Sequence, residues 1–382
     1  MSFSASERLS ALESDNRLRR LRAVTPHHAC RVQVDGQWLS LFSSNDYLGL
    51  SAHPMVKEAI VETAKEWGMG PRGAALICGY TPHHEALERE LALLKETESA
   101  LLFPTGFQAN LGLLSALGGK DTAFFSDALN HASIIDGIRL SKSPVHVYRH
   151  GDMEQLRELL RRENVACPII VTDALFSMEG TLAPLKELVR IKEETGALLV
   201  VDEAHSTLVY GKNGGGLAGQ EGVAGQIDFH VGTLSKAFGC QGGFIATSRE
   251  RREWLLNVAR SYVFTTAMPL PLVEGARAAL GAWSSDLQDQ LWARIHLFET
   301  WLGRTLSGPI VPIVLHEEER ALEVSEALWK QGFHVPAIRP PTVPRGTSRL
   351  RIALSAGHSM EEVERLIHSL KSSLNSSSPS MD

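Results

Sequence analysis

Between about Ala100 and Thr247 short β-rich runs recur with helical segments between them: Thr122 to Asp127, Val145 to Tyr148, Pro168 to Asp173, Ala197 to Asp202 and Phe229 to Thr233. Strands that alternate with helices make an α/β unit with a mostly parallel sheet. Such strands are covered on both faces, which is why runs such as Ile169-Ile170-Val171 are apolar without alternation. The connecting segment Pro184 to Thr195 has proline in its first turn, Leu185, Leu188 and Val189 on one face, and Gly196 beyond its end, the start and stop signals of a crossover helix. After Pro271 the pattern turns to long helices and short strands, at Ile310 to Leu315, Val335 to Ile338 and Leu350 to Leu354, which suits a smaller α+β domain. It closes on Ser359-Met360-Glu361-Glu362, a capping box, with Val363, Leu366, Ile367, Leu370 and Leu374 on one helical face.

The expected division is therefore an N-terminal segment, 1–45, a large domain, 46–270, and a small C-terminal domain, 271–382, whose Ser-rich end, 375–382, is frayed. A chain of 382 residues exceeds one ordinary core and accommodates both domains. The net charge of −6 and the lack of a basic stripe argue against nucleic acid or an anionic membrane as partner. Cys30, Cys78, Cys167 and Cys240 are far apart and form no CxxC pair, so neither a metal site nor a disulfide framework is expected. Met1 to Asn16 lacks the apolar core of a signal peptide, no run reaches transmembrane length, and Ser380-Met381-Asp382 is no peroxisomal tripeptide. A cytoplasmic protein fits these readings.

Ligands of parallel sheets bind beyond the carboxyl ends of the strands. There the chain places Asp173, Ser177, Asp202, His205, Thr233 and Lys236. A lone lysine is more often at a surface turn, and a strand-end aspartate more often caps a helix. Together, a buried lysine and a strand-end carboxylate point to pyridoxal 5′-phosphate (PLP), since the lysine can hold its aldehyde and the carboxylate can keep its ring nitrogen protonated. Thr105-Gly106-Phe107-Gln108 follows the strand Leu101-Leu102-Phe103 and opens a helix whose N–H groups and dipole suit a phosphate, with Thr233 and Ser235 as added hydroxyl donors. A glycine turn before a helix also suits nucleotides, but neither a Walker lysine motif nor a GxGxxG fingerprint is present. His131, in Asn130-His131-Ala132-Ser133, can stack on a flat ring, although a lone histidine is more often structural. For His205 a helix-start role and a ring-hydroxyl contact are equally open until Lys236 is considered.

Ser44-Asn45-Asp46-Tyr47-Leu48-Gly49-Leu50, Gly79-Tyr80, His84 with Leu87-Glu88, Pro104-Thr105-Gly106-Phe107, Asn130-His131-Ala132-Ser133, Phe176-Ser177-Met178-Glu179-Gly180, Asp202-Glu203-Ala204-His205 and Gly232-Thr233-Leu234-Ser235-Lys236 together resemble the α-oxoamine synthases. The resemblance runs from about Asn45 to His358. These are PLP enzymes of the aspartate-aminotransferase fold (type I) that condense an amino acid with an acyl thioester and release CO2. Arg339-Pro340-Pro341-Thr342-Val343-Pro344, then Gly346-Thr347 and Arg349-Leu350-Arg351, is similar to the biotin-pathway branch, which joins L-alanine to a pimeloyl thioester; members using glycine with short acyl-CoAs usually lack the Arg-Pro-Pro. Gly70 to Gly79 departs from the glycine-rich pattern of bacterial members and is similar to plant-type ones.

The resemblance implies that Lys236 holds PLP and serves as the proton-transfer base, Asp202 meets the ring nitrogen, His205 and Ser177 lie at the ring hydroxyl, and His131 stacks on the ring. Gly106, Phe107 and Thr233 would bind the phosphate, with Thr265 and Thr266 reaching the phosphate of a neighbouring subunit in a homodimer with shared active sites. Arg351 would clamp the amino-acid carboxylate near Asn45, and Thr342 and Arg22 would touch the acyl substrate. A non-catalytic scaffold subunit of the same fold is the other class to weigh; relatives of that kind have lost the lysine.

Overall fold

The computed structural model describes residues 4–15, 17–28 and 30–375, with the backbone alone at 27. The chain divides into two compact units, one of residues 48–177 and 181–289, the other of residues 1–47, 178–180 and 290–382. The boundary expected at 270/271 thus moves to 289/290. The reason lies in the helix Leu270–Ala282, whose buried face of Leu270, Val273, Ala276 and Ala279 packs on the helix Pro54–Trp67 of the larger unit.

The larger unit is built on seven strands: β1 (Ser99–Phe103), β2 (Thr122–Asp127), β3 (Val145–Tyr148), β4 (Cys167–Asp173), β5 (Leu198–Asp202), β6 (Phe229–Thr233) and β7 (Gly243–Thr247). Their order in the sheet is β1-β7-β6-β5-β4-β2-β3. The pairs among β2 to β6 are parallel, whereas β7 runs antiparallel to both β6 and β1. The pattern of runs does not announce β7. Its direction follows from chain length, because the connection 234–242 is shorter than the dozen or more residues that a parallel crossover takes. That short connection carries Lys236.

Phe124, Ile169, Val171, Val200, Phe229 and Val231 are buried on the sheet, against Ala109, Leu113 and Leu114 of the helix Gly106–Leu117 and Ile134 and Ile138 of the helix Ala132–Ser141. The expected crossover helix spans Leu185–Thr195, with Gly196 closing it in the left-handed conformation at φ +69°. β4 and β5 are in register with Asp173 beside Asp202, so two carboxyl groups emerge side by side at one edge of the sheet.

In the smaller unit the strands Thr25–His28, Arg31–Val34, Gln37–Leu41 and Phe333–His334 form one sheet, and Ile310–His316, Ser348–Ala353 and Ala337–Ile338 another. The first sheet makes residues 1–47 part of this unit rather than a separate segment. The strand expected at Val335 to Ile338 is shortened to Ala337–Ile338, after Pro336, which has no N–H to continue a ladder, and a separate strand, Phe333–His334, precedes it in the other sheet. The capping box is reciprocal: the Glu362 N–H donates to Ser359 Oγ (3.0 Å) and the Ser359 N–H to Glu362 Oε2 (3.1 Å). Helix Met360–Asn375 includes the first residue of the expected frayed tail, and 376–382 lie outside the described residues. No described helix is long and apolar enough to cross a membrane.

Candidate active site

Lys236 sits on the β6–β7 connection. That turn is pinned by Leu234 N–H to Gly242 O (3.0 Å), Cys240 N–H to Leu234 O (2.9 Å) and Gly239 N–H to Lys236 O (2.8 Å). Lys236 is half-buried rather than buried as its apolar neighbours suggested, because its side chain lines a cavity of about 230 Å³ instead of the core. Thr233 Oγ1 donates to Gly242 O (2.9 Å) and accepts from the Ser235 N–H (3.2 Å). Its proton is thereby engaged, leaving the exposed Ser235 hydroxyl, 2.7 Å away, as the freer donor towards an anion.

Six of the expected residues besides Lys236 line the same cavity: Gly106, Phe107, His131, Asp202, His205 and Thr233. Gly106 and Phe107 stand in the first turn of their helix, where N–H groups have no intrahelical acceptor. Thr105 caps that helix by accepting from the Gln108 N–H (3.1 Å). Across the cavity Asp202 is buried, its Oδ1 accepting from the Ala204 N–H (2.9 Å) and its Oδ2 from Asn110 Nδ2 (2.7 Å).

His131 caps the helix Ala132–Ser141, and its backbone N–H donates to Asp173 Oδ2 (2.8 Å). Burial pushes the His131 imidazole down from its ordinary value; Asp202 opposes that shift and Lys236 adds to it. Burial, and then the neighbouring Asp202 charge, push Asp173 well above the usual carboxylate range. Two adjacent buried carboxyl groups do not both ionise readily.

The loop beyond Asp202 is held from below by a network that motif reading missed. Lys95, Glu203 and His230 are all 0% exposed. Lys95 Nζ donates to Glu203 Oε2 (2.8 Å), Thr207 Oγ1 (2.8 Å) and Gly215 O (2.7 Å). Glu203 also accepts from the Ala218 N–H (3.0 Å) and pairs with His230 Nδ1 (3.0 Å). Burial works against both charges. It pushes the Lys95 ammonium down and would raise the Glu203 carboxyl, but Lys95 and His230 override it and hold Glu203 well below its ordinary value. The pair is charged, since Lys95 has three acceptors and Glu203 is ringed by donors. A lysine far upstream in sequence gives no signal of this role; only the fold brings it to Glu203. Asn110 was missed too, although one helical turn beyond Gly106 is a position on the same face.

The remaining expected residues lie elsewhere. Ser177 is not among the residues lining the cavity. Thr265 Oγ1 accepts from Gln108 Nε2 (3.4 Å), and Thr266 bridges the backbone of Ala74. In the smaller unit Arg351 Nη2 donates to Asn45 Oδ1 (3.0 Å), as their expected proximity requires. Arg349, two residues away on the same strand face, is instead paired with Glu179 (3.1 Å). Thr342 meets Arg19, whose Nη2 donates to its Oγ1 (2.9 Å), not Arg22. Arg22, expected like Thr342 at the acyl substrate, lies over the Trp329 ring at 4.6 Å, a cation–π contact.

The family model of class I and II aminotransferases matches residues 39–370. The chain is 46% identical to the 8-amino-7-oxononanoate synthase of Arabidopsis thaliana over 88% of this chain and 75% of that protein. It is 45% identical to the 8-amino-7-oxononanoate synthase of Anaeromyxobacter dehalogenans, over 95% of this chain and 93% of that one. Among solved structures, the serine palmitoyltransferase of Sphingomonas wittichii superposes with a TM-score of 0.90 at 31% identity, covering 96% of this chain and 95% of the other. A structure described as SPT with PLP gives a TM-score of 0.90 at 30% identity over 96% of both chains.

Proposed function

From this chain's membership of the class I and II aminotransferase family and, within it, of the PLP-dependent acyltransferases known as 8-amino-7-oxononanoate synthases, we propose that it condenses L-alanine with a pimeloyl thioester. The products would be 8-amino-7-oxononanoate, CO2 and the free thiol carrier, a step of biotin biosynthesis. The observation that carries the reading is one cavity lined at once by Lys236, the Asp202 carboxylate and the first turn of the Gly106 helix.

That cavity suits PLP. A Cβ at Gly106 would stand 3.1 Å from Thr233 Cβ, so glycine keeps open the space where the helix N-terminus meets β6. The volume of about 230 Å³ fits one substituted ring better than a dinucleotide. Lys236 would hold the aldehyde, Asp202 the ring nitrogen, and His205, aided by Ser177, the ring hydroxyl side. The N–H groups of Gly106 and Phe107 would take the phosphate, with Thr233 acting through the Ser235 hydroxyl that it holds 2.7 Å away. Thr265 and Thr266 would reach the phosphate of the other subunit in a homodimer.

When bound, PLP supplies an electron sink for the substrate α-carbon. The chain does the rest. Lys236 Nζ, besides holding the aldehyde, would take the substrate α-proton and later return one. Asp202 keeps the ring nitrogen cationic, an electrostatic contribution of several kcal/mol in sites of this kind. His131 donates a hydrogen bond to the developing ketone oxygen. Arg351, with Asn45, holds the alanine carboxylate, and its neighbour Arg349 is neutralised by Glu179 and so does not compete for it. For the acyl substrate, Thr342 acts with Arg19 in the place first expected of Arg22. A cytoplasmic setting belongs to the same reading, because Cys30, Cys78, Cys167 and Cys240 form no CxxC pair.

The deciding assay sets pimeloyl-CoA, pimeloyl-acyl carrier protein and shorter acyl-CoAs side by side with alanine and with glycine. Alanine with a pimeloyl donor is expected to be fastest. Preference for glycine with acetyl-CoA would move the chain to another α-oxoamine reaction, and a colourless protein without turnover after PLP addition would make it a scaffold.

A further inference from the structure

We propose that Asn110 is a positioning residue that ties Asp202 to His131 and sets the tautomer of His131, leaving its Nε2–H directed to donate while Nδ1 accepts. The inference rests on the PLP reading only for its consequence in turnover; the hydrogen-bond chain belongs to the protein itself.

A carboxylate only accepts, so the Asn110 atom 2.7 Å from Asp202 Oδ2 is the NH2 group, and the orientation of the amide follows from chemistry. The second N–H of that group donates to Ser133 Oγ (2.9 Å). The Ser133 backbone N–H points at His131 Nδ1 (3.3 Å), which makes that nitrogen an acceptor, so the Ser133 hydroxyl 2.8 Å away, itself accepting from Asn110, donates its proton to the same nitrogen. Two donors converge on Nδ1, which must then carry a lone pair. A neutral imidazole so held keeps its proton on Nε2.

A second observation shows that the side chain serves these two donations. Asn110 is 2% exposed, and its Oδ1 is buried with no hydrogen-bond partner. A leucine would fill the space without an orphaned carbonyl, so what the amide adds is its two N–H groups. The consequence reaches the edge and one face of a ring bound in the cavity: one donation orders the carboxylate that would meet the ring nitrogen, the other orders the imidazole that would lie against the ring.

The test uses the full chain labelled with ¹⁵N-histidine, first without PLP. Long-range ¹H–¹⁵N spectra report the tautomer, and the His131→Gln variant identifies the signal. At neutral pH the wild type is expected to show Nδ1 unprotonated and Nε2 protonated. Asn110→Leu and, should that variant not fold, Ser133→Ala are each expected to raise the share of the Nδ1–H form. A wild-type His131 protonated on Nδ1, or an unchanged tautomer in both variants, overturns the proposal. With PLP added, Asn110→Leu is expected to keep the visible absorbance of the cofactor while kcat falls by about tenfold or more and the KM for alanine stays within about twofold. With rates expressed per folded, PLP-loaded protein, a kcat within about twofold of wild type also overturns it. A wild type that gains no visible absorbance refutes the PLP reading instead, and the tautomer result stands apart from it.

Discussion

Replacing Lys95 with methionine strikes the site without touching any residue of the cavity. The side chain is fully buried, and its ammonium makes three hydrogen bonds, one of them to Glu203. Methionine retains most of the apolar stem but leaves the Glu203 carboxylate buried without its cation. Removing one partner of a buried pair costs about 3–5 kcal/mol. His230 and the Ala218 N–H still face Glu203, which places the expectation near the lower end, about 3 kcal/mol. With an m-value of about 3 kcal/mol per molar urea, the unfolding midpoint of the PLP-free protein falls by about 1 M, followed by circular dichroism and tryptophan fluorescence. The double variant Lys95→Met/Glu203→Met, which leaves no stranded charge, should recover at least about 1 kcal/mol of this loss. The pH dependence has a definite sign. Glu203 is held below its ordinary value when folded, so its contribution is complete above the unfolded carboxyl value of about 4.3 and fades as pH falls below it. The difference between wild type and Lys95→Met should therefore shrink in that acid window. A midpoint shift under about 0.2 M, or a double variant no better than the single one, would refute the reasoning.

Lys236→Ala is expected to bind PLP at most non-covalently, with no visible absorbance of the lysine-bound cofactor and no product; normal turnover would sink the assignment. Arg19→Ala should raise the KM for the pimeloyl donor about fivefold to tenfold, a modest figure because Arg19 is exposed, while Arg22→Ala changes it less than about twofold. The reverse ranking in steady-state assays would return the acyl contact to Arg22. Gly239, at φ +66°, follows Lys236 in the tight turn, and a Cβ there would overlap the backbone nitrogen of Ser51. Gly239→Ala should therefore lower stability by about 3 kcal/mol, combining left-handed strain with overpacking, as read by urea unfolding; a change below about 1 kcal/mol contradicts that geometry. Because burial pushes His131 down, the neutral imidazole persists as pH falls, and the acid limb of kcat should lie below the ordinary histidine value of about 6.5. An acid limb assigned to His131 above about pH 7 would be inconsistent with it.

The sequence by itself determined whatever is local or periodic. β2, β3 and β6 begin and end where their apolar runs do, Gly196 stops its helix, and Ser359 with Glu362 form the reciprocal cap, because each depends on residues only a few positions apart. The motif residues Gly106, His131, Asp202, His205, Thr233 and Lys236 could be gathered at one sheet edge by the rule for parallel strands alone. Tertiary structure decided what depends on partners distant in the chain. It placed β7 antiparallel between β1 and β6, half-exposed Lys236 beside a cavity, and joined residues 1–47 to the smaller unit. It also brought Arg19 to Thr342 and Arg22 over Trp329, neighbouring arginines of equal charge that only direction in space separates. Lys95 under Glu203 and Asn110 between Asp202 and Ser133 belong to the same class. A hydrogen bond depends on a distance and an angle, and for residues so far apart in sequence the folded chain alone supplies them.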